Sequence, residues 1–146
     1  MYGPAAKQND TINSDGSSMV WVQPPGSPPP TPVTTPFAYS GPITGNLSSN
    51  VFVNNQPAAT VDSTATNSTP PASQPAVTGV GAVLSVVNNT ATIITGSSRV
   101  WINGKMAARN GDTANTWDYS TPPTPGTGMQ IPNGTVAASS TVFIGD

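Results

Sequence analysis

The side chains that most often carry catalysis or hold a metal are nearly missing from this chain. Its 146 residues include no histidine, no cysteine and no glutamate; the acids are six aspartates, against four lysines and arginines. General acid–base chemistry near neutral pH calls for a group poised close to the working pH, usually histidine or a shifted glutamate. A hydroxyl nucleophile needs a neighbouring base, and the many Ser and Thr hydroxyls have none. A paired-carboxylate hydrolase requires two carboxyls a few ångströms apart. Asp112 and Asp118 are the close pair of interest, and a turn already accounts for Asp112. A zinc site of ordinary ligands cannot be assembled, and the aspartates are too scattered to form an oxygen cage for a hard cation. Gly79-Val80-Gly81 lacks both the third glycine of a dinucleotide fingerprint and a P-loop lysine. The Asn-x-Ser/Thr sequons at Asn46 and Asn133 are what chance supplies in such a composition. The expectation is a non-enzymatic protein with no catalytic residues, no metal and no cofactor.

The composition points to β-structure. Charged residues make up 7% of the chain, against about 25% in an ordinary soluble domain. Seventeen prolines, fourteen glycines and abundant Ser, Thr and Asn work against helices, because proline lacks the amide proton and the short polar side chains compete for backbone hydrogen bonds. With a net charge of −2 and no basic stripe, the electrostatic footprint of a nucleic-acid-binding protein is lacking. The start, Met1 to Lys7, has no apolar core of signal-peptide length, and no apolar run approaches the roughly 20 residues of a membrane-spanning helix. The length suits a single domain over 1–146, with residues 1–40 as an N-terminal strand plus a Pro-rich segment and 41–146 as a repeat-bearing core. The first fifteen or so residues are expected to be ordered only when a partner holds them.

The elements that organise these residues are repeats. The pattern S-S-x-V-[FW]-[VI] occurs four times, at Ser17–Val22, Ser48–Val53, Ser97–Ile102 and Ser139–Ile144. This marks Val20, Trp21, Val51, Phe52, Val53, Val100, Trp101, Ile102, Val142, Phe143 and Ile144 as strand residues of the core or of a binding base. Two copies extend without a gap, Ser48–Ala65 and Ser97–Ala114, so the repeated unit is a hairpin. Asn103-Gly104 suits a type I′ turn, whose two central residues need positive φ. Ile102 then faces Lys105, Trp101 faces Met106 and Val100 faces Ala107. Asn54-Asn55 is the same turn in the other copy, pairing Val53 with Gln56, Phe52 with Pro57 and Val51 with Ala58. A further hairpin is expected over Val83–Ile94, turning at Asn88-Asn89, with Val83 against Ile94 and Leu84 against Ile93, forming much of the core. Gln23–Pro36 should be extended or polyproline-like, and Asn67–Pro75 and Ser120–Gly128 read as surface excursions.

Val100–Asp112, VWINGKMAARNGD, resembles the signature of PAAR-repeat proteins: a strand, a short turn, Pro-Ala-Ala-Arg, then Gly-Asp. Asn103 and Gly104 stand at the turn, Met106-Ala107-Ala108-Arg109 at the motif, with methionine for its proline, and Gly111-Asp112 follow. Gln56-Pro57-Ala58-Ala59-Thr60 keeps the proline and loses the arginine, and Ala138–Gly145 is similar to the closing strand of phage-type members. The resemblance runs from about Gly41 to Asp146. It implies an all-β fold, a compact cone of short β-hairpins with approximate internal threefold repeats and Pro-rich surface excursions. It implies a structural tip that caps and sharpens the trimeric central spike of a contractile injection machine (a phage-tail-like particle, an extracellular injection system or a type VI apparatus), aiding membrane piercing. The partner would be a VgrG-like or phage-type spike, one copy of this chain per trimer, with effector cargo or baseplate subunits as further partners and transient contact with a target membrane. The chain would be made in the cytoplasm, without a signal peptide, and expelled on contraction. Strand edges at the base would continue the sheet of the spike. Family tips hold zinc through histidines and a cysteine, which this chain lacks. Arg109 and Asp112 are read as structural, the arginine satisfying turn carbonyls and the aspartate making an Asx-type turn. The competing expectation is a secreted or cell-surface β-rich binding module.

Overall fold

A computed structural model gives the fold; it describes residues 2–14, 18–23, 31–35, 39–68, 82–83, 90–118 and 129–146. All fifteen regular elements there are strands, and no helix among the described residues is long and apolar enough to cross a membrane. Six strands close a barrel: β2 (Thr11–Ser14), β5 (Ser40–Gly45), β8 (Thr64–Thr66), β10 (Thr90–Ile93), β13 (Thr113–Asp118) and β14 (Met129–Ala137), in the order β10-β13-β14-β2-β5-β8. Every neighbouring pair is antiparallel, and closure leaves no free edge. Pro132 lies inside β14 where the register with β13 slips between Ala114 and Thr116. A bulge is where a residue that cannot donate to the ladder is tolerated in a paired strand.

At one end of the barrel stand three two-stranded ladders. β6 (Phe52–Val53) pairs with β7 (Gln56–Pro57), and β11 (Trp101–Ile102) with β12 (Lys105–Met106). The registers are the expected ones, Phe52 opposite Pro57, Val53 opposite Gln56, Trp101 opposite Met106 and Ile102 opposite Lys105. Their turns have φ of 47° and 64° at Asn54-Asn55 and 51° and 79° at Asn103-Gly104, the two positive values a type I′ turn requires. The third ladder joins β15 (Phe143–Ile144) to β1 (Gly3–Pro4), with Gly3 opposite Ile144 and Pro4 opposite Phe143. It is the same hairpin with its turn open, supplied by the two ends of the chain.

Three expectations change. Residues 2–14 do not await a partner: β1 and β2 lie there and enter the third ladder and the barrel, because Ala5 and Ala6 pack in the core. The copy at Ser17–Val22 is not a fourth unit. Its strand β3 (Ser18–Gln23) lies between β4 (Thr31–Thr35) and β9 (Ala82–Val83) in a separate sheet, with Val20 opposite Val33 and Trp21 opposite Pro32. Part of Gln23–Pro36 is extended, as expected, and is paired as strand. In place of the Val83–Ile94 hairpin, Val83 pairs with Val22 and Ile93 with Ala114; residues 84–89, with the Asn88-Asn89 turn, lie outside the described residues, as do most of the two later excursions. Pairing across the barrel buries Ala91 and Ile93 on both sides, which a lone hairpin cannot do.

The core has two parts. Ile12, Ile43, Ile93 and Val136 fill the barrel with Ala6, Ala59, Ala65, Ala91, Ala108, Ala114 and Tyr39. Ala5, Ala58, Ala107, Val53, Ile102 and Ile144 fill the space between the ladders. Tyr39 belongs to the barrel; its hydroxyl donates to Ala65 O at 2.8 Å and accepts from Ala91 N at 3.1 Å. Gly41 marks how closely the barrel strands approach, since a Cβ there would lie 2.2 Å from the carbonyl oxygen of Thr66. Gly41→Ala forces backbone to move in a packed barrel and is expected to cost about 1–3 kcal/mol, read as a lowered midpoint in thermal or denaturant unfolding.

Candidate functional site

The site is a hub in which three copies of one motif meet around an axis. Two copies were evident in the sequence, Pro57-Ala58-Ala59-Thr60 and Met106-Ala107-Ala108-Arg109. The third is Pro4-Ala5-Ala6-Lys7, near the amino end and separated from its own strand β15 by most of the chain. The three are joined by isolated bridges of one pattern, Ala5 to Arg109, Lys7 to Ala58 and Thr60 to Ala107. At the centre the second alanines form a closed ring of hydrogen bonds. Ala6 N–H donates to Ala108 O at 2.8 Å, Ala108 N–H to Ala59 O at 3.0 Å, and Ala59 N–H to Ala6 O at 2.9 Å. The first alanines point to the ladder cluster and the second to the barrel cluster.

Each motif then turns in the same way. The amide of the residue three on donates back to Lys7 O, Thr60 O or Arg109 O at 3.2, 3.0 and 3.1 Å. The third position of each turn has positive φ, 69° at Asn9, 75° at Asp62 and 88° at Gly111. A side chain closes the turn from within: Asp10 Oδ2 accepts from Lys7 N at 3.0 Å, Ser63 Oγ from Thr60 N at 3.0 Å, and Asp112 Oδ2 from Arg109 N at 2.7 Å. Asp112 thus bonds back to the amide three residues before it, where an Asx-type turn, whose bond runs to an amide two residues on, was expected.

The fourth motif residue differs between units. Lys7 Nζ meets Asp10 Oδ1 at 2.7 Å. Arg109, buried like Asp112, donates from Nε and Nη2 to the two carboxylate oxygens at 3.3 and 3.2 Å, and from Nη1 to Asp146 Oδ1 at 2.5 Å. Its bonds to Asp112 raise the Arg109 pKa further above its ordinary value, so the guanidinium stays charged. These three bonds run to carboxylates, where turn carbonyls were expected. Thr60 is too short to reach across, and beside it a cleft of about 270 Å³ opens between the first two units, lined by Asn46, Ser48, Asn103 and Lys105 among others.

Neighbouring units are also clasped through their turns. Asn54 donates from Nδ2 to Thr141 Oγ1 at 2.7 Å and accepts from Thr141 N at 3.0 Å. Asn103 donates to Ser48 Oγ at 3.0 Å and Asn50 Oδ1 at 2.8 Å. Ser97 Oγ donates to Gly145 O at 2.6 Å, closing the circle. The turn asparagines therefore serve twice, once for their φ and once as clamps; Gly104 faces open space.

The predicted strand residues divide by position. Val53, Ile102 and Ile144 are buried; Val51, Val100 and Val142 are at the rim; Phe52, Trp101 and Phe143 are more than half exposed. The three aromatics therefore do not enter the core, because strand alternation turns them away from the face that carries the buried third residue. Val20 and Trp21 sit in β3, in a different sheet from the ladders. Met106 is half-buried, Ala107 and Ala108 fully buried. Among the described residues no cluster of three or more metal-ligating side chains occurs.

The three units show how to test Arg109. Removing the arginine side chain leaves the Asp112 carboxylate buried without its guanidinium, so Arg109→Ala is expected to cost roughly 3 kcal/mol. The Thr60–Ser63 unit closes the same turn with neutral groups. Arg109→Thr combined with Asp112→Ser should therefore recover most of that loss, measured by unfolding midpoints of the single and double variants.

No curated protein and no solved structure matches the chain significantly. The family model described as PAAR motif matches residues 35–116, more than half of the chain, and within that match lie two of the three hub motifs. Those two Ala-Ala motifs, each followed by the same turn, are the structural content of that match: the chain belongs to the PAAR family, the structural spike tips of contractile injection systems.

Proposed function

We propose that this chain is the metal-free, non-enzymatic tip that caps a trimeric VgrG-like or phage-type spike, one copy per trimer. The observation that carries the reading is the pseudo-threefold hub: a single chain places three equivalent ladders about one axis, so it can meet the end of a true trimer with all three contacts alike. Among the described residues β6, β11 and β15 each have one strand partner. Their outer edges suit one added strand apiece, recognition by β-augmentation. The particle that carries the spike would then expel the tip on contraction, and any cargo or baseplate partner would attach elsewhere.

With no histidine and no cysteine in the sequence, the hub must be held by the alanine ring, the closed turns and the ion pairs. Prolonged dialysis against a strong chelator is expected to leave the melting temperature unchanged; a drop restored by zinc or another metal would contradict the metal-free reading. Co-expression with the trimeric spike protein of the same injection system should give a complex of one tip and three spike chains by native mass spectrometry. A free monomer beside an intact spike trimer would remove the tip reading.

A further inference from the structure

The hub's polar surroundings make its exposed apolar side chains conspicuous. Eight large hydrophobic residues are well exposed among the described residues, and all but Ile94 lie in the ladder strands or directly beside them. The others are the three pairs Val51-Phe52, Val100-Trp101 and Val142-Phe143, together with Tyr2. Phe52, Trp101 and Phe143 are 57%, 57% and 52% exposed and occupy the same position in the three units. Positions related by the pseudo-threefold axis lie at one height along it, so the aromatics form a ring around the ladder end. Two of them are held in place. Trp101 Nε1 donates to Ser98 O at 3.1 Å, and Tyr2 stacks on Phe143 with ring centroids 5.5 Å apart. Large apolar side chains gathered at one place on a small polar protein mark an interaction surface, and fixed aromatics make low-entropy anchors.

We infer that this aromatic ring is the docking surface for a homotrimer, each chain of which presents an apolar contact to one of Phe52, Trp101 and Phe143. The inference rests on the tip reading and deepens it, because strand addition alone would be indifferent to these side chains. The symmetry selects the occupant: a partner with one apolar site covers one aromatic, whereas a homotrimer covers all three with one surface repeated. Binding energy is then divided into three similar parts. The part at Phe143 is distinguished by the Tyr2 ring stacked against it.

The test uses the full chain, its spike trimer and five variants. Phe52→Ser, Trp101→Ser and Phe143→Ser should each weaken binding on the order of tenfold or more, and the triple variant should give no one-to-three complex in native mass spectrometry. Because the side chains are exposed, the melting temperature should hold. A triple leucine variant, which stays apolar, should bind within about tenfold of the wild type, and this arm tests the inference even if the serine variant unfolds. Wild-type-like binding by a folded triple serine variant overturns the inference and leaves the tip reading standing. So does a ring that proves to pair two copies of this chain, or to bind phosphatidylcholine–phosphatidylglycerol vesicles while the serine variant still caps the spike. Failure of the wild-type chain to bind the trimer removes both.

Discussion

Three amide–carbonyl hydrogen bonds between Ala6, Ala108 and Ala59 close on themselves, and most of the molecule is arranged so that they can. Three backbones can approach one axis this nearly only if no side chain stands between them, so both faces of each motif carry methyl groups alone. The first alanines meet Val53, Ile102 and Ile144; the second meet Ile43, Ile93 and Val136. A methylene added at any of the six would be forced into a site buried on every side. The ring also fixes chain direction. Leaving the axis, each motif turns sharply into a barrel strand, and the positive φ at Asn9, Asp62 and Gly111 is that change of direction.

Backbone symmetry and side-chain asymmetry coexist because the ring asks nothing of the fourth motif residue except its amide and carbonyl. That position holds lysine, threonine and arginine in the three units. Where it is basic, an aspartate three residues on both closes the turn and balances the charge. Where it is threonine, serine closes the turn and a cleft remains beside it. A homotrimer would have to repeat one solution three times. A single chain can bury a guanidinium at one seam and leave another open, at no cost to the hub.

The local chemistry of the ladders was legible in the sequence because their turns depend on two adjacent residues. Asn-Gly and Asn-Asn dictated positive φ, and the registers followed from a two-residue loop. The third motif escaped because its halves lie at opposite ends of the chain. Pro4-Ala5-Ala6-Lys7 precedes any strand it could be matched with, and a contiguous repeat search pairs a strand with the motif that follows it. The usable signal was the tetrapeptide taken alone, with Asp10 at the spacing that Asp112 keeps from Arg109. Ser17–Val22 misled in the opposite sense: it has the strand pattern without a motif behind it, and it forms a different sheet. Burial of the aromatics was illegible for a further reason. A strand pattern shows which residues alternate, while the face that is covered is decided by what the other two units place there.

The open third hairpin ties these points together. In two units the turn is covalent and its asparagine clamps the neighbour; in the third, Gly3 and Ile144 pair with no turn between them, and Ser97 reaches instead to the carbonyl of Gly145. The unit is held by what surrounds it: the Ala5 amide on Val142 O at 2.7 Å, the Ser140 hydroxyl on Ala5 O at 2.8 Å, and Arg109 reaching Asp146. Arg109 is thus the one motif side chain that crosses to the last residue of the chain, at the seam where covalent continuity is missing. The buried ion pair with Asp112 orients the guanidinium, and the second ion pair uses that orientation to fasten the carboxyl-terminal strand. The most elaborate charge network of the hub thus stands at its least connected unit, where a shorter or neutral residue would close its own turn and give up this tie to the strand end.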